Sequence, residues 1–155
     1  MKLLVVAVGG RMPSWVNAGF EDYARRMPRE ARVELVEIRA QRRTGRSVEQ
    51  ALRHERDRIR AALPGGCMRV VLDEGGQTLD TRGFARFLSR CLGSGRDVAF
   101  VIGGADGLHP DLKREADLLL ALSAMTLPHG LARVVLAEQL YRSLALLQGH
   151  PYHRE

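Results

Sequence analysis

The sequence has few cysteines and no long apolar run, and both features restrict the class of protein. Its two cysteines, Cys67 and Cys91, do not form a CxxC pair. We expect free thiols in a reducing cytoplasm, although nothing in the sequence excludes a single disulfide. No stretch of about 18 apolar residues occurs, so no membrane span is expected. The opening segment Met1–Val8 has no cleavage pattern, and we interpret it as a buried strand rather than a signal peptide.

The common nucleotide-binding fingerprints are absent as well. The segment Gly103–Gly107 reads GGADG, which is not GxGxxG, and no GxxxxGK[ST] motif occurs. Their absence argues against a dinucleotide dehydrogenase and against a P-loop NTPase. Lysine is also scarce, since Lys2 and Lys113 are the only lysines among 24 basic residues. We therefore do not expect phosphoryl transfer.

Arginine is abundant, and it gives the chain a formal net charge of +6 and a pI of about 10.1. A basic chain suits a polyanionic partner such as nucleic acid. Codon bias explains the same arginine content equally well, so composition alone leaves RNA binding open.

Short apolar runs alternate with amphipathic segments, which predicts one α/β domain over residues 1–155 with a mostly parallel sheet. The runs are continuously apolar, which is typical of strands covered on both faces. The predicted strands are Leu3–Val8, Val33–Ile38, Arg69–Leu72, Val98–Ile102 and Leu118–Leu122. The predicted helices are Ser14–Met27, Ser47–Leu63, Asp80–Leu92, Pro110–Ala116 and Leu131–Gln148.

Glycine pairs follow three of the predicted strands, at Gly9-Gly10, Gly75-Gly76 and Gly103-Gly104. Ligands of open α/β sheets bind beyond the carboxyl ends of the strands, where glycine lets the backbone approach closely. Three such pairs favour a binding crevice over the alternative of ordinary turns.

The segment Leu122–His129 follows the last predicted strand and is small, mostly uncharged and ended by Pro128. Its main-chain groups and apolar side chains suit a neutral heterocycle such as adenine, and a plain strand-to-helix connection is the alternative. The helix Leu131–Gln148 is apolar almost all round. We expect it to pack on the sheet and on a second subunit, unless it is wholly buried within one chain. The basic and aromatic tail His150–Glu155 suits stacking on bases, or is simply disordered.

Many segments match one family of proteins over essentially the whole chain. They are Lys2-Leu3, Val6–Gly9, Met12-Pro13, Trp15-Val16, Gly19-Phe20, Tyr23, Gly95–Val98, Ile102–Gly104, Gly107-Leu108, Leu122–His129, Arg133-Val134, Glu138–Arg142 and Pro151–Glu155. Through these residues the sequence resembles the bacterial ribosomal RNA large subunit methyltransferase H family, within the SPOUT class of knotted methyltransferases.

The resemblance implies a SPOUT-type, Rossmann-like domain with a C-terminal trefoil knot, which sequence rules alone do not suggest. It implies a cytoplasmic homodimer that methylates N3 of pseudouridine 1915 in helix 69 of 23S rRNA, on the assembled ribosome. The methyl donor would be S-adenosylmethionine, with S-adenosylhomocysteine as product, and neither a metal nor DNA or membrane would be involved. The implied cofactor residues are Leu72, Gly103, Gly104, Leu122, Ser123, Ala124, Met125, Thr126 and Leu127.

The implied methyl transfer to rRNA suggests candidates for catalytic and RNA-binding residues. The catalytic candidates are His129, Arg142, Tyr152, His153 and Arg154, and the RNA-binding candidates are Arg39, Arg42, Arg43, Arg46 and Arg133. His129 and His153 both remain open as the base that removes the N3 proton. His129 is alternatively a structural brace. Two other functions stay open, a non-catalytic ribosome-associated protein and an enzyme that modifies a small molecule.

Overall fold

The computed structural model describes residues 1–41, 45 and 47–154, with His153 and Arg154 described by backbone alone. The described residues form five strands: β1 (Lys2–Val8), β2 (Arg32–Ile38), β3 (Met68–Thr78), β4 (Val98–Ile102) and β5 (Leu118–Ala121). The same part of the chain forms five α-helices: α1 (Ser14–Arg25), α2 (Val48–Ala62), α3 (Thr81–Ser94), α4 (Pro110–Arg114) and α5 (His129–Leu147). Short 3₁₀ turns occupy Arg29–Ala31 and Pro151–Arg154.

The strands form one sheet in the order β2-β1-β4-β3-β5, and every neighbouring pair is parallel. This arrangement confirms the predicted α/β fold with a parallel sheet. Alternate residues of β1 point to opposite layers, as a strand requires. Leu3 packs in the layer of α1, α3 and α5 with Leu136, whereas Leu4 packs in the layer of α2 and α4 with Ile59. The sheet is therefore covered on both faces.

Helix boundaries follow local capping chemistry. A capping box starts α2 next to the predicted first residue Ser47, because the amide of Gln50 donates to Ser47 Oγ while the Gln50 side chain accepts from the Ser47 amide. The predicted end of α3 at Leu92 is wrong. The helix continues to Ser94 and ends at Gly95, whose φ of 70° lies in the left-handed region that favours glycine.

Strand β3 is longer than the predicted Arg69–Leu72. Its pairing with β5 is interrupted between Leu72 and Gln77 and then resumes, so Asp73–Gly76 forms an irregular excursion within the strand. A Cβ on Gly76 would lie 2.8 Å from the carbonyl carbon and oxygen of Leu119, so this position needs glycine. The sequence pattern failed here because two glycines and two acidic residues look like the end of a strand.

Helix α5 begins two residues earlier than predicted, at His129, directly after the extended Pro128. The second residue of the helix, Gly130, is a glycine because Val16 of α1 packs closely against it. A Cβ at Gly130 would lie 2.9 Å from Val16 Cγ2. None of the helices in the described part of the chain is long and apolar enough to cross a membrane. The trefoil knot stays a prediction.

Candidate functional site

The carboxyl ends of β3, β4 and β5 surround a cavity of about 350 Å³. This position and size are typical of small-molecule sites in parallel α/β sheets. Of the nine residues predicted to hold a cofactor, seven lie on its wall, namely Leu72, Gly103, Gly104, Leu122, Ser123, Met125 and Leu127. Ala124 and Thr126 belong to the same loop but do not line the cavity.

One side of the cavity is charged, and sequence reasoning missed it. Asp73, Glu74 and Lys113 line this side, and Lys113 Nζ lies 2.9 Å from Asp73 Oδ1. The other oxygen of Asp73 accepts from the amide of Gly75 at 3.1 Å, which holds the carboxylate in place. The two acidic residues directly precede the glycine pair at Gly75, so a signal for them was present. No sequence signal indicated Lys113.

The cavity floor depends on a tight turn after β4. The amide of Gly107 donates to the carbonyl of Gly104 at 3.0 Å, and the turn folds Leu108 back over Gly103. A Cβ on Gly103 would lie 2.8 Å from Leu108 Cγ and 2.9 Å from backbone atoms of Gly107. The absence of a side chain at Gly103 is therefore what allows this wall to close.

Replacing Gly103 with alanine is expected to lower the free energy of unfolding by about 1–3 kcal/mol, because the added methyl group collides with backbone that cannot yield. The matched variant Gly104→Ala is expected to cost less, since its tightest contact would be the side-chain atom Val8 Cγ1 at 3.3 Å, and the Val8 carbonyl oxygen would lie at an ordinary contact distance of 3.6 Å. Urea denaturation of both variants measures the difference. Equal stability of the two would contradict this account of the turn.

His129 joins this turn to the core through both of its ring nitrogens. Its Nδ1 lies 2.8 Å from the carbonyl oxygen of Gly103, and its Nε2 accepts from Arg133 Nε at 2.8 Å. Since Arg133 can only donate, Nε2 must be unprotonated and Nδ1 must carry the proton that Gly103 accepts. The ring is thereby fixed as one neutral tautomer.

Arg133 is the largest fully buried side chain of the described residues, with an exposed fraction of 0%. Its Nη1 donates to Glu37 Oε2 at 3.2 Å, and the Glu37 side chain is 47% exposed. Its Nη2 is buried without a hydrogen-bond partner in the described chain. The prediction that Arg133 binds RNA is therefore wrong for this fold, because the guanidinium has no surface to offer.

The environment keeps His129 neutral. Burial is the largest cause that lowers its pKa below the usual 6.5, and the nearby Arg133 cation lowers the pKa further, against the opposing hydrogen bond to Gly103. Both nitrogens are already engaged, so neither is free to take a proton from a substrate. This geometry favours the structural alternative for His129 over the role of general base.

Acid is expected to destabilise the chain partly through this histidine. The pKa of His129 is lower in the folded chain than in the unfolded chain, so stability present at neutral pH is lost as pH falls below about 6.5. Urea midpoints at several pH values should fall more steeply for the wild type than for His129→Asn. The variant His54→Asn, which makes the same substitution at an exposed site on α2, is measured alongside as the control. If the urea midpoint depends on pH in the same way for all three proteins, the prediction is wrong.

Two of the remaining catalytic candidates lie together, away from the cavity. Tyr152 packs edge-on against the Tyr141 ring at 4.7 Å, and the Arg142 guanidinium lies 4.8 Å from the centre of the Tyr152 ring. Burial, with a hydrogen bond to Tyr23, raises the pKa of Tyr152 to about 12. Arg142 Nε also donates to Glu138 at 2.8 Å.

The structure does not bring this group next to His129. Arg142 lies thirteen positions after His129 on α5, a separation of about 20 Å along a helix. Tyr152 and Arg142 are not among the residues that line the cavity. The side chains of His153 and Arg154 lie outside the described atoms, as do Arg42, Arg43 and Arg46, whereas Arg39 is described and exposed.

Comparison with known proteins gives the class to which this fold and cavity belong. A family model described as "Predicted SPOUT methyltransferase" matches residues 1–153, so the chain belongs to the SPOUT methyltransferase family. The chain is 57% identical over 155 residues to the ribosomal RNA large subunit methyltransferase H of Nitrosospira multiformis, covering 99% of both chains. The enzyme of the same name from Nitrosomonas eutropha is 55% identical over 154 residues, again covering 99% of both chains.

The corresponding protein of Burkholderia cenocepacia is 56% identical over 155 residues, also with 99% of both chains covered. These relatives confirm the resemblance to the ribosomal RNA large subunit methyltransferase H family. Among solved structures, the chain is similar to the SpoU methyltransferase AviRb from Streptomyces viridochromogenes in complex with the cofactor AdoMet. That match has 14% identity and a TM-score of 0.48, and it covers 91% of this chain and 57% of the other.

Proposed function

We propose that this chain transfers a methyl group from S-adenosylmethionine to N3 of a pseudouridine in helix 69 of 23S rRNA, as a homodimer acting on the assembled ribosome. The observation that carries the proposal is the cavity at the carboxyl edge of the sheet, lined by Gly103, Gly104 and the loop after β5. The names of the full-length relatives support an rRNA substrate.

The residues around the cavity fit this cofactor. Leu72, Leu122 and Leu127 offer apolar walls for an adenine ring. The amide of Met125 donates to Ser123 Oγ at 2.9 Å, which shapes the loop. On the charged side, carboxylates suit ribose hydroxyls, and both signs of charge suit the amino-acid part of the cofactor. When bound, the cofactor supplies a methyl group that its sulfonium has already activated.

The protein then has two tasks, which are to align the base nitrogen with the methyl group and to help the N3 proton leave. The locked tautomer of His129 suits alignment, because it holds the Gly103 turn. We assign proton removal to His153 of the tail, and we assign stabilisation of the resulting negative charge to Arg142 and Arg154. Tyr152 anchors the tail by its ring contact with Tyr141.

The homodimer is supported by the distance of about 20 Å along α5 between His129, at the cavity, and Arg142, beside the tail. In one chain, the tail anchored by Tyr152 lies with Arg142 rather than with the cavity. A second copy supplies another tail, and apolar side chains remain available for pairing: Trp15 is 58% exposed and Leu147 is 41% exposed. We therefore propose that each cavity is completed by residues of the other subunit.

A methyl-transfer assay with labelled S-adenosylmethionine tests this function. Assembled ribosomes, free 23S rRNA and a mixture of small metabolites serve as competing acceptors. We expect label in 23S rRNA when ribosomes are offered. Binding to ribosomes without any transfer would identify a non-catalytic RNA-binding protein, and label in a metabolite would identify a small-molecule enzyme.

A further inference from the structure

Helix α3 presents a row of three arginines that the proposed function has not used. Arg82, Arg86 and Arg90 are spaced four residues apart, and all three are exposed. Residues four apart lie on the same side of a helix, so the three guanidinium groups share one face. The sequence of α3, TRGFARFLSRCLGS, contains no acidic residue. We call these three residues the α3 arginine row.

The row differs from most arginines of the other helices, which lie within ion-pair distance of a carboxylate. On α2, Arg53 pairs with Glu49 at 2.7 Å, and Arg56 pairs with Asp111 at 2.9 Å. Among the described residues, no carboxylate lies within ion-pair distance of any arginine of the α3 row. Like charges one helical turn apart repel each other, so the row is unfavourable for the isolated helix. An anionic partner along this face would remove that repulsion.

The α3 arginine row begins at the same edge of the sheet as the cavity. Helix α3 follows directly on β3, which ends at Thr78 on the carboxyl edge of the sheet, and Asp80 caps the first turn of the helix. The row therefore starts at the edge that holds the cavity and runs away from it. Each step along the row is about 6 Å, which is comparable to the spacing of successive phosphates along an RNA strand.

We propose that the α3 arginine row binds the phosphate backbone of the rRNA substrate and positions it relative to the cavity, an inference that rests on the proposed function. Guanidinium groups bind phosphate through two parallel hydrogen bonds, which favours arginine at such contacts. The contact is to the backbone, so it contributes affinity and orientation and does not read the base sequence.

The test compares two triple variants that change the net charge equally. The row variant is Arg82→Gln, Arg86→Gln and Arg90→Gln. The control is Arg25→Gln, Arg53→Gln and Arg58→Gln, at exposed sites of α1 and α2. The apparent affinity for ribosomes is measured from 50 to 200 mM salt. We expect the row variant to flatten the log–log salt slope by about 2, from three lost phosphate contacts, while the control keeps the wild-type slope within about 0.5.

A row variant with the wild-type slope, or a control that changes the slope as much, would overturn the proposal. Failure of the proposed function looks different, because the wild type would then transfer no methyl group whatever its salt slope. S-adenosylmethionine affinity should be the same in all three proteins, which shows that the fold is intact.

A photoreactive benzoylphenylalanine in place of the exposed Ser89, between Arg86 and Arg90, identifies the partner. Cross-links to 23S rRNA support the proposal. Cross-links confined to a ribosomal protein would overturn it, because the row would then face acidic side chains.

Discussion

Replacing Arg133 with alanine is expected to lower the free energy of unfolding by about 4 kcal/mol. The side chain is fully buried, so truncation leaves a cavity between α5 and the ends of β1 and β2. It also leaves His129 Nε2 buried without its donor. Chemical denaturation at fixed protein concentration measures the loss, and an unchanged midpoint and slope would contradict the account.

The variant Arg133→Met separates packing from charge. Methionine fills most of the volume of the arginine side chain. The Glu37 side chain is half exposed, so water can hydrate its carboxylate once Arg133 is gone. The guanidinium that is removed carries a buried Nη2 without a partner, so its own burial is costly. We therefore expect Arg133→Met to lose only about 1–2 kcal/mol. A loss as large as that of alanine would mean that the hydrogen bonds, rather than the packing, give Arg133 its importance.

Removing residues 151–155 is expected to reduce methyl transfer by about 100- to 10,000-fold, the usual contribution of a positioned acid or base. The proposed base and one charge-stabilising arginine leave with the tail. Binding of S-adenosylmethionine should change by less than about threefold, because no described residue of the tail lines the cavity. Initial rates with ribosomes measure the loss of methyl transfer, and calorimetric titration measures the affinity for S-adenosylmethionine.

The point variant Tyr152→Phe is the matched control for this deletion. It keeps the ring packed against Tyr141 and Arg142 and removes only the hydroxyl that bonds to Tyr23. We expect a smaller effect on the rate than truncation gives. Wild-type turnover by the truncated chain would remove the tail from the mechanism, and loss of cofactor binding would show that the tail instead supports the fold.

The sequence predicted most of the fold because its elements carry strong local signals. The limits of β4 at Val98 and Ile102 were predicted correctly, since a continuous apolar run between polar residues leaves one interpretation. The start of α2 at Ser47 was predicted to within one residue, since the helix begins at Val48 with Ser47 as its cap. The extension of β3 was missed because it depends on how closely Gly76 approaches Leu119, which is a long-range contact. Local patterns do not contain that information.

The candidate site also has parts that local sequence signals indicate and parts that depend on long-range contacts. The loop after β5 was found because its position after a strand and its lack of charge are visible in the sequence. A bracing role for His129 was predicted as one alternative, but its partners Gly103, Arg133 and Glu37 were not found, because they are distant in the chain or look like ordinary surface residues. The knot came only from the family resemblance, since sequence rules predict unknotted chains.

The most direct test of the central claim is to map S-adenosylmethionine on the protein by NMR. The chain of 17.2 kDa is suited to amide chemical-shift titration. We predict the largest shifts at Gly103, Gly104 and 122–127. Shifts centred instead on the cavity at the opposite edge of the sheet, beside Met68 and Phe87, or no shifts at saturating cofactor, would contradict the account.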